Sequence, residues 1–291
     1  MRTTETIGVD FIGIGSPRCG TTWVFRCIED HPDICSAYLK EVAFFSQDDE
    51  FAKGIGAYKK YFEHASPDKA LGEFSPEYLS DPRVPARIKQ NLPDVKLIAS
   101  LRNPADSLYS MYHFGKQRGK YSYPTFEDFL AGEPQQKEDR LYMKHLNRYL
   151  EEFPAEQLLV LIFEDIERDP RLFMKGVYEF LGVDPSFVST YVEKRINAGE
   201  SYGVFFLSRI MYKVIHLLRR TEAGSRLVSL LFHSRLKAKS DALFEMNKDK
   251  GGSVSKRPVM QEQTRAELLA FYSEDVAALE RFIGRDLSVW R

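Results

Sequence analysis

The sequence has little of what secreted, metal-binding or membrane-spanning proteins use. Its three cysteines, Cys19, Cys27 and Cys35, are eight residues apart, which does not match the ligand spacing of a zinc site. No stretch is apolar for long enough to span a bilayer, and the first ten residues lack the apolar centre of a signal peptide. These absences predict a cytoplasmic protein with reduced thiols, no bound metal and no transmembrane segment.

An excess of charge of one sign is also missing. The chain carries 41 Lys and Arg residues against 42 Asp and Glu residues, for a formal net charge of -1. Without a strong overall field it is not drawn to polyanions, so we expect no nucleic-acid partner. No repeat or low-complexity linker divides the chain. We expect a single domain over residues 1–291, with the oligomeric state left open.

Short apolar runs alternate with segments of helical periodicity. The runs that predict buried strands lie in IGVDFIGIG, ALGEFSPEYL, VKLIASLRNP and LLVLIFEDIERDP. Helical spacing follows from Thr21 to about His31, and again in VPARIKQNLP, PADSLYSMYHFGKQRG and RLFMKGVYEFLGVDP. Strands that alternate with helices are typical of a parallel sheet with crossover helices. The sequence therefore predicts an α/β fold, and a long amphipathic helix that precedes Trp290.

One segment differs from this pattern. Between Ser208 and Lys239 there are eight Lys or Arg residues, one acidic residue and leucines at helical spacing. We expect an added helical segment at about 203–245. A helical hairpin with a solvated basic face is the favoured interpretation. The alternative is a lid, or a docking surface for an acidic carrier, a glycan or a membrane.

The stretch GSPRCGTT lies between a predicted strand and a predicted helix. Backbone N–H groups at such a turn, at the positive end of the helix dipole, bind tetrahedral anions. A Walker A loop has lysine where this chain has Thr21, although Gly15 and Gly20 keep the Walker separation. The cation lies inside the loop, as Arg18, and Arg102 stands where a Walker B aspartate would end its strand. This pattern disfavours a metal-dependent NTP hydrolase.

A thiol phosphatase is a second alternative for this loop, since Cys19 lies at a helix N-terminus, where a thiolate is favoured. That class uses a C-x5-R spacing. Here Arg26 follows Cys19 after six intervening residues. We therefore predict that Cys19 is structural, a small residue in a tight loop.

The loop in its longer form, GSPRCGTTWV, resembles the 5′-phosphosulfate loop of sulfotransferases that use 3′-phosphoadenylyl sulfate (PAPS). The resemblance continues, in the right order, in KEVAFFS, GEFSPEYL, LRNPADSLYSMY, LIFEDIERDP and the C-terminal segment. It is weakest from about Ser201 to Met246. It implies a sulfotransferase fold, with a P-loop-like sheet, and an enzyme that releases adenosine 3′,5′-bisphosphate (PAP).

The resemblance also implies a donor site. The phosphosulfate would lie on the backbone N–H groups of the loop, and the 3′-phosphate on Arg102 and Ser110. A planar, permanently charged guanidinium suits a phosphate. A late basic loop would close over the nucleotide. The implied donor-binding residues are Arg18, Cys19, Gly20, Thr21, Thr22, Trp23, Arg102, Ser110, Lys256 and Arg257.

For catalysis the resemblance points to Arg18, Lys40 and Glu41. Arg18 would stabilise charge on the leaving oxygen, and Lys40 would contact the sulfuryl group or the acceptor. Glu41, partly desolvated beside Phe44 and Phe45, would take the proton of the acceptor hydroxyl. The alternatives are a structural Glu41, paired with Lys40 or with a loop amide, or a histidine base. The candidate histidines are His64 and His113.

The acceptor side would be lined by Glu73, Phe74, Ser75 and Tyr78. Glycan-type members tend to carry a lysine at the position of Phe74, and a histidine and an aspartate at the positions of Ala43 and Ser46. These departures argue against a heparan-like acceptor. A hydroxyl of a small molecule, lipid, polyketide or less anionic glycan is expected, and Glu164 and Asp165 are predicted to be structural.

Two other functions remain open at this point. A P-loop nucleotide or small-molecule kinase would need Mg²⁺ and a loop lysine, and the lysine is missing. A non-catalytic nucleotide-binding module would bind PAP without turnover. The presence of Arg18, Glu41, Arg102 and Ser110 favours the enzyme.

Overall fold

The computed structural model describes residues 8–193 and 258–291. Residues 8–116, 121–193 and 260–291 belong to one compact unit, and the described residues 117–120 and 258–259 belong to a second. The predictions for Lys256, Arg257 and the helical segment at about 203–245 lie outside the described residues. The expectation of one domain over 1–291 stays a prediction.

A parallel sheet forms the centre of the first unit. Its strands are β1 (Phe11–Gly15), β2 (Ile34–Ser36), β3 (Ala70–Phe74), β4 (Lys96–Leu101) and β5 (Leu158–Ile162), in the order β2-β3-β1-β4-β5. The predicted parallel α/β sheet is confirmed. The short edge strand β2 was not predicted, because a run of three residues carries too little periodicity to be recognised.

Helices connect and cover the strands. They are α1 (Thr21–Glu29), α2 (Asp48–Phe51), α3 (Ile55–Lys59), α4 (Val84–Asn91), α5 (Pro104–Gln117), α6 (Phe126–Gly132), α7 (Pro134–Glu138), α8 (Tyr142–Leu150), α9 (Glu164–Arg168), α10 (Pro170–Leu181) and α11 (Glu262–Ile283). Short 3₁₀ helices cover Lys60–Phe62, Pro76–Leu79, Ala155–Gln157 and Ser288–Trp290. Within the described residues, no helix combines the length and apolar character needed to cross a membrane.

The strand order fixes where a ligand can bind. From β1 the chain goes first to β2 and β3 on one side, and later to β4 and β5 on the other. Open α/β sheets bind ligands beyond the carboxyl ends of the strands at such a switch point. The loop that follows Gly15 lies at this place.

Two hydrophobic clusters pack against the sheet. Successive side chains of a strand point to opposite faces, and β1 follows this rule, since Phe11 joins one cluster and Ile12 the other. Helices α1 and α10 contribute to the cluster of Phe11. Helices α5, α8 and α11 contribute to the cluster of Ile12.

A reciprocal pairing of glycine and phenylalanine sets the spacing of β1 and β3. Phe11 is in register with Gly72, and Gly13 with Phe74. A Cβ atom on Gly72 would lie 2.4 Å from the Phe11 ring, and one on Gly13 would lie 2.1 Å from the Phe74 ring. Each ring therefore occupies the space over the glycine of the other strand. This is a correction for Phe74, which lies in the core rather than on the acceptor side.

The C-terminal helix α11 caps another helix. Asp275 accepts hydrogen bonds from the backbone N–H groups of Met143 (3.0 Å) and Lys144 (2.9 Å), at the first turn of α8. This satisfies donors that a helix leaves unpaired at its N-terminus. Trp290 is buried and contacts Tyr142 of α8 with an edge-on ring, 6.3 Å between centroids.

The pairing of β1 and β3 can be tested with Gly13→Ala. We expect it to lower the free energy of unfolding by about 1–3 kcal/mol, because the new methyl group overlaps the buried Phe74 ring. Urea denaturation measures this. Gly56→Ala in α3 is the matched control, since a Cβ atom at that position would meet no atom within 4 Å and alanine favours a helix. Equal stability of the two variants would contradict the proposed overlap.

Candidate active site

The loop between β1 and α1 presents backbone N–H groups at a helix N-terminus. Gly20 precedes α1 in the left-handed region (φ 79°), and a Cβ there would lie 2.8 Å from the Phe163 ring. The N–H groups of Cys19, Gly20, Thr21 and Thr22 make no hydrogen bond to any other described residue. Four successive unpaired donors at the positive end of a helix fit a phosphate or sulfate group.

The loop is fastened to the neighbouring strand β4 and to helix α5. The Ser16 N–H donates to the Ser100 carbonyl (2.7 Å), and the Ser100 hydroxyl donates to the Cys19 carbonyl (2.6 Å). From α5 the Ser107 hydroxyl donates to the Pro17 carbonyl (3.1 Å). These bonds pair the carbonyl groups of Pro17 and Cys19 and leave the N–H groups of the loop to bind a ligand.

Cys19 is buried, which supports its predicted structural role. Its sulfur lies 3.6 Å from the Ser107 hydroxyl and 3.7 Å from the Tyr142 hydroxyl. Burial raises the pKa of the Cys19 thiol, although those hydrogen bonds and the charges of Arg140 and Arg102 oppose the shift. A buried neutral thiol is a poor nucleophile, which argues against the thiol phosphatase.

Arg18, the cation of the loop, is held by α5. Its backbone is left-handed (φ 68°), its Nε donates to the Ser110 hydroxyl (3.2 Å), and its guanidinium lies 4.1 Å from the centroid of the Phe114 ring. Ser110 and Phe114 are four residues apart and so lie on one face of α5. The structure thus brings Arg18 and Ser110 together.

Arg102 lies directly after β4, with its guanidinium 4.7 Å from the centroid of the Phe163 ring. Its charge lowers the pKa of Cys19 against the effect of burial, so it lies within electrostatic reach of the loop. The sequence predicted that Arg102 and Ser110 meet on one phosphate. In the structure the hydrogen-bond partner of Ser110 is Arg18, and whether Arg102 and Ser110 share a phosphate stays a prediction.

Trp23, a predicted donor-binding residue, has contacts within the protein. Its indole is buried, donates its N–H to the Tyr191 carbonyl (3.1 Å) and packs edge-on against Phe173, 5.8 Å between centroids. The side chain thus packs in the core beneath α1, and its predicted part in donor binding stays a prediction.

Lys40 and Glu41 form an ion pair through Nζ and Oε1. The Glu41 side chain is 53% exposed, whereas Phe44 and Phe45 are buried in the core. The expected desolvation of Glu41 beside these rings is therefore wrong, and the salt bridge that the sequence allowed as an alternative is present. Glu41 still places a carboxylate next to a cation, at a surface open to solvent.

The candidate histidines have other contacts. His64 Nε2 lies 3.1 Å from the Ser36 carbonyl oxygen and 3.4 Å from the Cys35 sulfur. His113 packs edge-on against Tyr109, 4.5 Å between centroids. These contacts are typical of structural histidines.

The segment 41–45 is bonded to the end of β3 and the turn that follows it. Alternate residues of the segment donate their backbone N–H groups, Glu41 to the Phe74 carbonyl (2.9 Å), Ala43 to the Ser75 hydroxyl (2.9 Å) and Phe45 to the Tyr78 hydroxyl (3.2 Å). The ladder fixes the backbone that carries Lys40 and Glu41.

Glu73 is a fully buried carboxyl group under this ladder. The Ser75 hydroxyl donates to its Oε2 (2.8 Å), and its Oε1 has no hydrogen-bond partner in the described part of the chain. Burial raises the pKa of Glu73 to about 8. Hydrogen bonds from Ser75 and Tyr78 oppose this rise, and the nearby Glu77 and Glu41 add to it. Glu73 is therefore a neutral acid at neutral pH.

This burial corrects the prediction for the acceptor side. The side chains of Glu73, Phe74, Ser75 and Tyr78 are all 0% exposed. Groups without solvent-accessible surface do not line a substrate surface. They lie behind the segment 41–45 and support it.

Sequence reasoning missed the residues that hold the donor loop. Ser107 carried a signal, since it precedes Ser110 by one helical turn in the same motif. Ser100, Phe114 and Tyr142 carried none, because their contacts with the loop depend on how strands and helices pack together.

The remaining polar residues near the strand ends are structural. Asp165 forms a two-bond ion pair with Arg285, with Oδ1 2.5 Å from Nη2. Glu164 accepts a hydrogen bond from the Asn103 N–H (3.1 Å). Across residues 8–193 and 258–291, no three His, Cys, Asp or Glu side chains gather as a metal site.

Comparison with known proteins gives one family. The model of the sulfotransferase domain matches residues 9–198. A bacterial sulfotransferase structure from Alicyclobacillus acidocaldarius is 26% identical, with a TM-score of 0.69, and the match covers 98% of this chain and 100% of that one.

Two mammalian relatives match over part of their length. Mouse (Mus musculus) heparan sulfate glucosamine 3-O-sulfotransferase 5 is 32% identical over 184 residues, which is 59% of this chain and 53% of the relative. Human (Homo sapiens) bifunctional heparan sulfate N-deacetylase/N-sulfotransferase 2 is 30% identical over 197 residues, which is 60% of this chain and 22% of the relative. The match thus spans about half of the first protein and about a fifth of the second.

The burial of Glu73 predicts how stability depends on pH. Because its pKa is raised on folding, its stabilising contribution is complete below the unfolded value, near 4.5, and is lost as the pH rises toward 8. We expect this loss to be on the order of 4 kcal/mol in the free energy of unfolding, and Glu73→Gln to remove it. Urea titrations across this range measure both, with the exposed Glu63→Gln as control. Parallel curves for wild type and Glu73→Gln would contradict the assignment.

Proposed function

Because the chain belongs to the sulfotransferase family, we propose that it transfers a sulfuryl group from PAPS to a hydroxyl group of an acceptor. The observation that carries the proposal is the loop 16–22. It combines four unpaired backbone N–H groups with an internal arginine. An anion of high charge density fits such donors.

The donor site divides into two groups of residues. The N–H groups of Cys19 to Thr22, with Arg18, hold the 5′-phosphosulfate, and Arg102 and the Ser110 hydroxyl proton hold the 3′-phosphate. Ser110 orients Arg18 by accepting its Nε–H. When bound, PAPS supplies the sulfuryl group and leaves as PAP.

In the transfer step negative charge develops on the oxygen that leaves with PAP. Arg18 stabilises that oxygen as a permanent cation held in place by Phe114 and Ser110. An arginine does not give up its proton, so its role is electrostatic alone. Because preorganised cations and amides provide the stabilisation, we propose that the reaction needs no metal.

Glu41 accepts the proton of the acceptor hydroxyl. Its ion pair with Lys40 keeps a cation beside the incoming sulfuryl group. The exposure of Glu41 leaves room for a hydroxyl-bearing molecule at this point.

The acceptor is proposed as a hydroxyl of a small molecule, lipid, polyketide or glycan. The names of two relatives include heparan sulfate. This chain has Ala43 and Ser46 where the glycan-type pattern has a histidine and an aspartate, which favours a less anionic acceptor. A cytoplasmic location and a single domain over 1–291 remain parts of the proposal.

The alternatives make different predictions. A kinase needs ATP and Mg²⁺ at the loop, and Thr21 stands where its lysine would be. A non-catalytic module binds PAP with no transfer. No contact in the described part of the chain favours either one.

The donor site can be tested by calorimetric titration with PAP in the absence of metal. We expect micromolar binding or tighter, weakened about 10–100-fold in Arg102→Ala because a charged hydrogen-bond partner is lost. Arg171→Ala, an exposed arginine on α10, is the matched control. If the wild-type protein does not bind PAP but binds ATP with Mg²⁺, the sulfotransferase proposal is wrong and the kinase function is favoured.

The base can be tested with Glu41→Gln against a panel of phenol, alcohol and glycan acceptors. We expect kcat to fall by about 10²–10⁴-fold with the affinity for PAP unchanged, since the amide accepts no proton at neutral pH. Glu63→Gln serves as control. A wild-type kcat in Glu41→Gln would show that another residue is the base. His64 and His113 would then be tested by substitution.

A further inference from the structure

The segment that carries Glu41 has an unusual backbone. Glu41 (φ 63°) and Ala43 (φ 55°) both adopt the left-handed region. Residues other than glycine seldom do so. Such conformations persist only where the surrounding structure determines them, and they cluster at functional sites.

A chain of buried hydrogen bonds holds the second of these residues. The Ala43 N–H donates to the Ser75 hydroxyl (2.9 Å), and that hydroxyl donates to Glu73 Oε2 (2.8 Å). Ser75 and Glu73 are both 0% exposed. A serine hydroxyl has one proton. Because Ser75 donates that proton to Glu73, the lone pairs of its oxygen are oriented to accept the Ala43 N–H.

The surroundings of Glu73 suit a neutral acid. Its Oε1 has no hydrogen-bond partner in the described residues, and an ionised carboxylate with an unpaired buried oxygen is strongly disfavoured. The titratable groups coupled to Glu73 are acids and phenols, namely Glu41, Glu77, Tyr58, Tyr78 and Tyr149. Lys40, a cation of this region, is paired with Glu41.

We propose that Glu73 is a positioning residue for the Lys40–Glu41 pair, which acts through Ser75 and the Ala43 N–H. The role of Lys40 and Glu41 in transfer rests on the proposed function above. Glu73 has no exposed surface and so does not contact the acceptor itself.

Ionisation of Glu73 would release this arrangement. A charge at Oε1 and Oε2 is repelled by Glu77 and Glu41 and draws in water, because the described residues around it offer no unpaired cation. The bond from the Ser75 hydroxyl favours the ionised form, but burial opposes it more strongly. The charge is therefore hydrated only if the segment 41–45 lifts away from it, which opens the Ala43–Ser75 bond and displaces Glu41. Transfer is therefore expected to fall as the pH rises through about 8, while PAP binding is retained.

Amide hydrogen exchange tests the positioning without any acceptor. After correction for intrinsic exchange, we expect the protection of the Ala43 N–H in wild type to fall at least about tenfold from about pH 7 to about pH 9. Glu73→Gln, which keeps the shape and does not ionise, should stay constant. Ser75→Ala should be poorly protected at both pH values. The Ile98 N–H in β4 reports global opening and serves as control.

Kinetics then separate positioning from fold. Ser75→Ala should lower kcat about tenfold with the PAP affinity unchanged, and Glu73→Gln should keep kcat near pH 7 and lose the alkaline decline. Equal pH profiles and equal Ala43 protection in wild type and Glu73→Gln would overturn the proposal. If Ser75→Ala does not fold, the near-isosteric Glu73→Gln decides alone. If wild type transfers nothing, the proposed function fails, and hydrogen exchange still decides the positioning.

Discussion

The hydrogen bond from the Ser100 hydroxyl to the Cys19 carbonyl, 2.6 Å long, shows what the rest of the site depends on. A loop that binds an anion through backbone N–H groups must keep those donors unpaired while every other polar group finds a partner. Ser100 and Ser107 supply the partners from β4 and α5. Because these bonds lie within the protein, they hold the loop in one conformation and reduce the ordering cost of binding.

The acceptor side depends on the opposite neighbour of β1. Strand β3 lies between β1 and β2, and its end accepts hydrogen bonds from the segment that carries Lys40 and Glu41. The parallel register, fixed by Gly13 and Gly72 under two phenylalanine rings, brings the carboxyl ends of β1 and β3 together. The donor loop and the proposed base thus lie at the same edge of the sheet. A shift in the pairing register of β1 and β3 would move them apart.

The fold and the family could be predicted from the sequence. The alternation of apolar runs predicted the parallel sheet, and the order of the motifs predicted the family. The burial of the polar side chains at the end of β3 and in the turn after it could not be predicted. The motif that contains Glu73 and Tyr78 looks polar enough to meet a substrate, yet its side chains lie in the core, because a short strand can turn polar groups inward when the next segment supplies partners. The contact of Arg18 with Phe114 likewise depends on helix placement that no local pattern contains.

The cap that Asp275 places on α8 has a consequence for synthesis on the ribosome. Tyr142, at the start of α8, contacts both Cys19 in the donor loop and Trp290 near the C-terminus. All strands of the described sheet leave the ribosome well before these late residues. A nascent chain can thus assemble its sheet while Tyr142, which forms one wall of the donor loop, still lacks its contact with Trp290. That wall is complete only once these late residues have been made, so the donor loop depends on Trp290 through Tyr142.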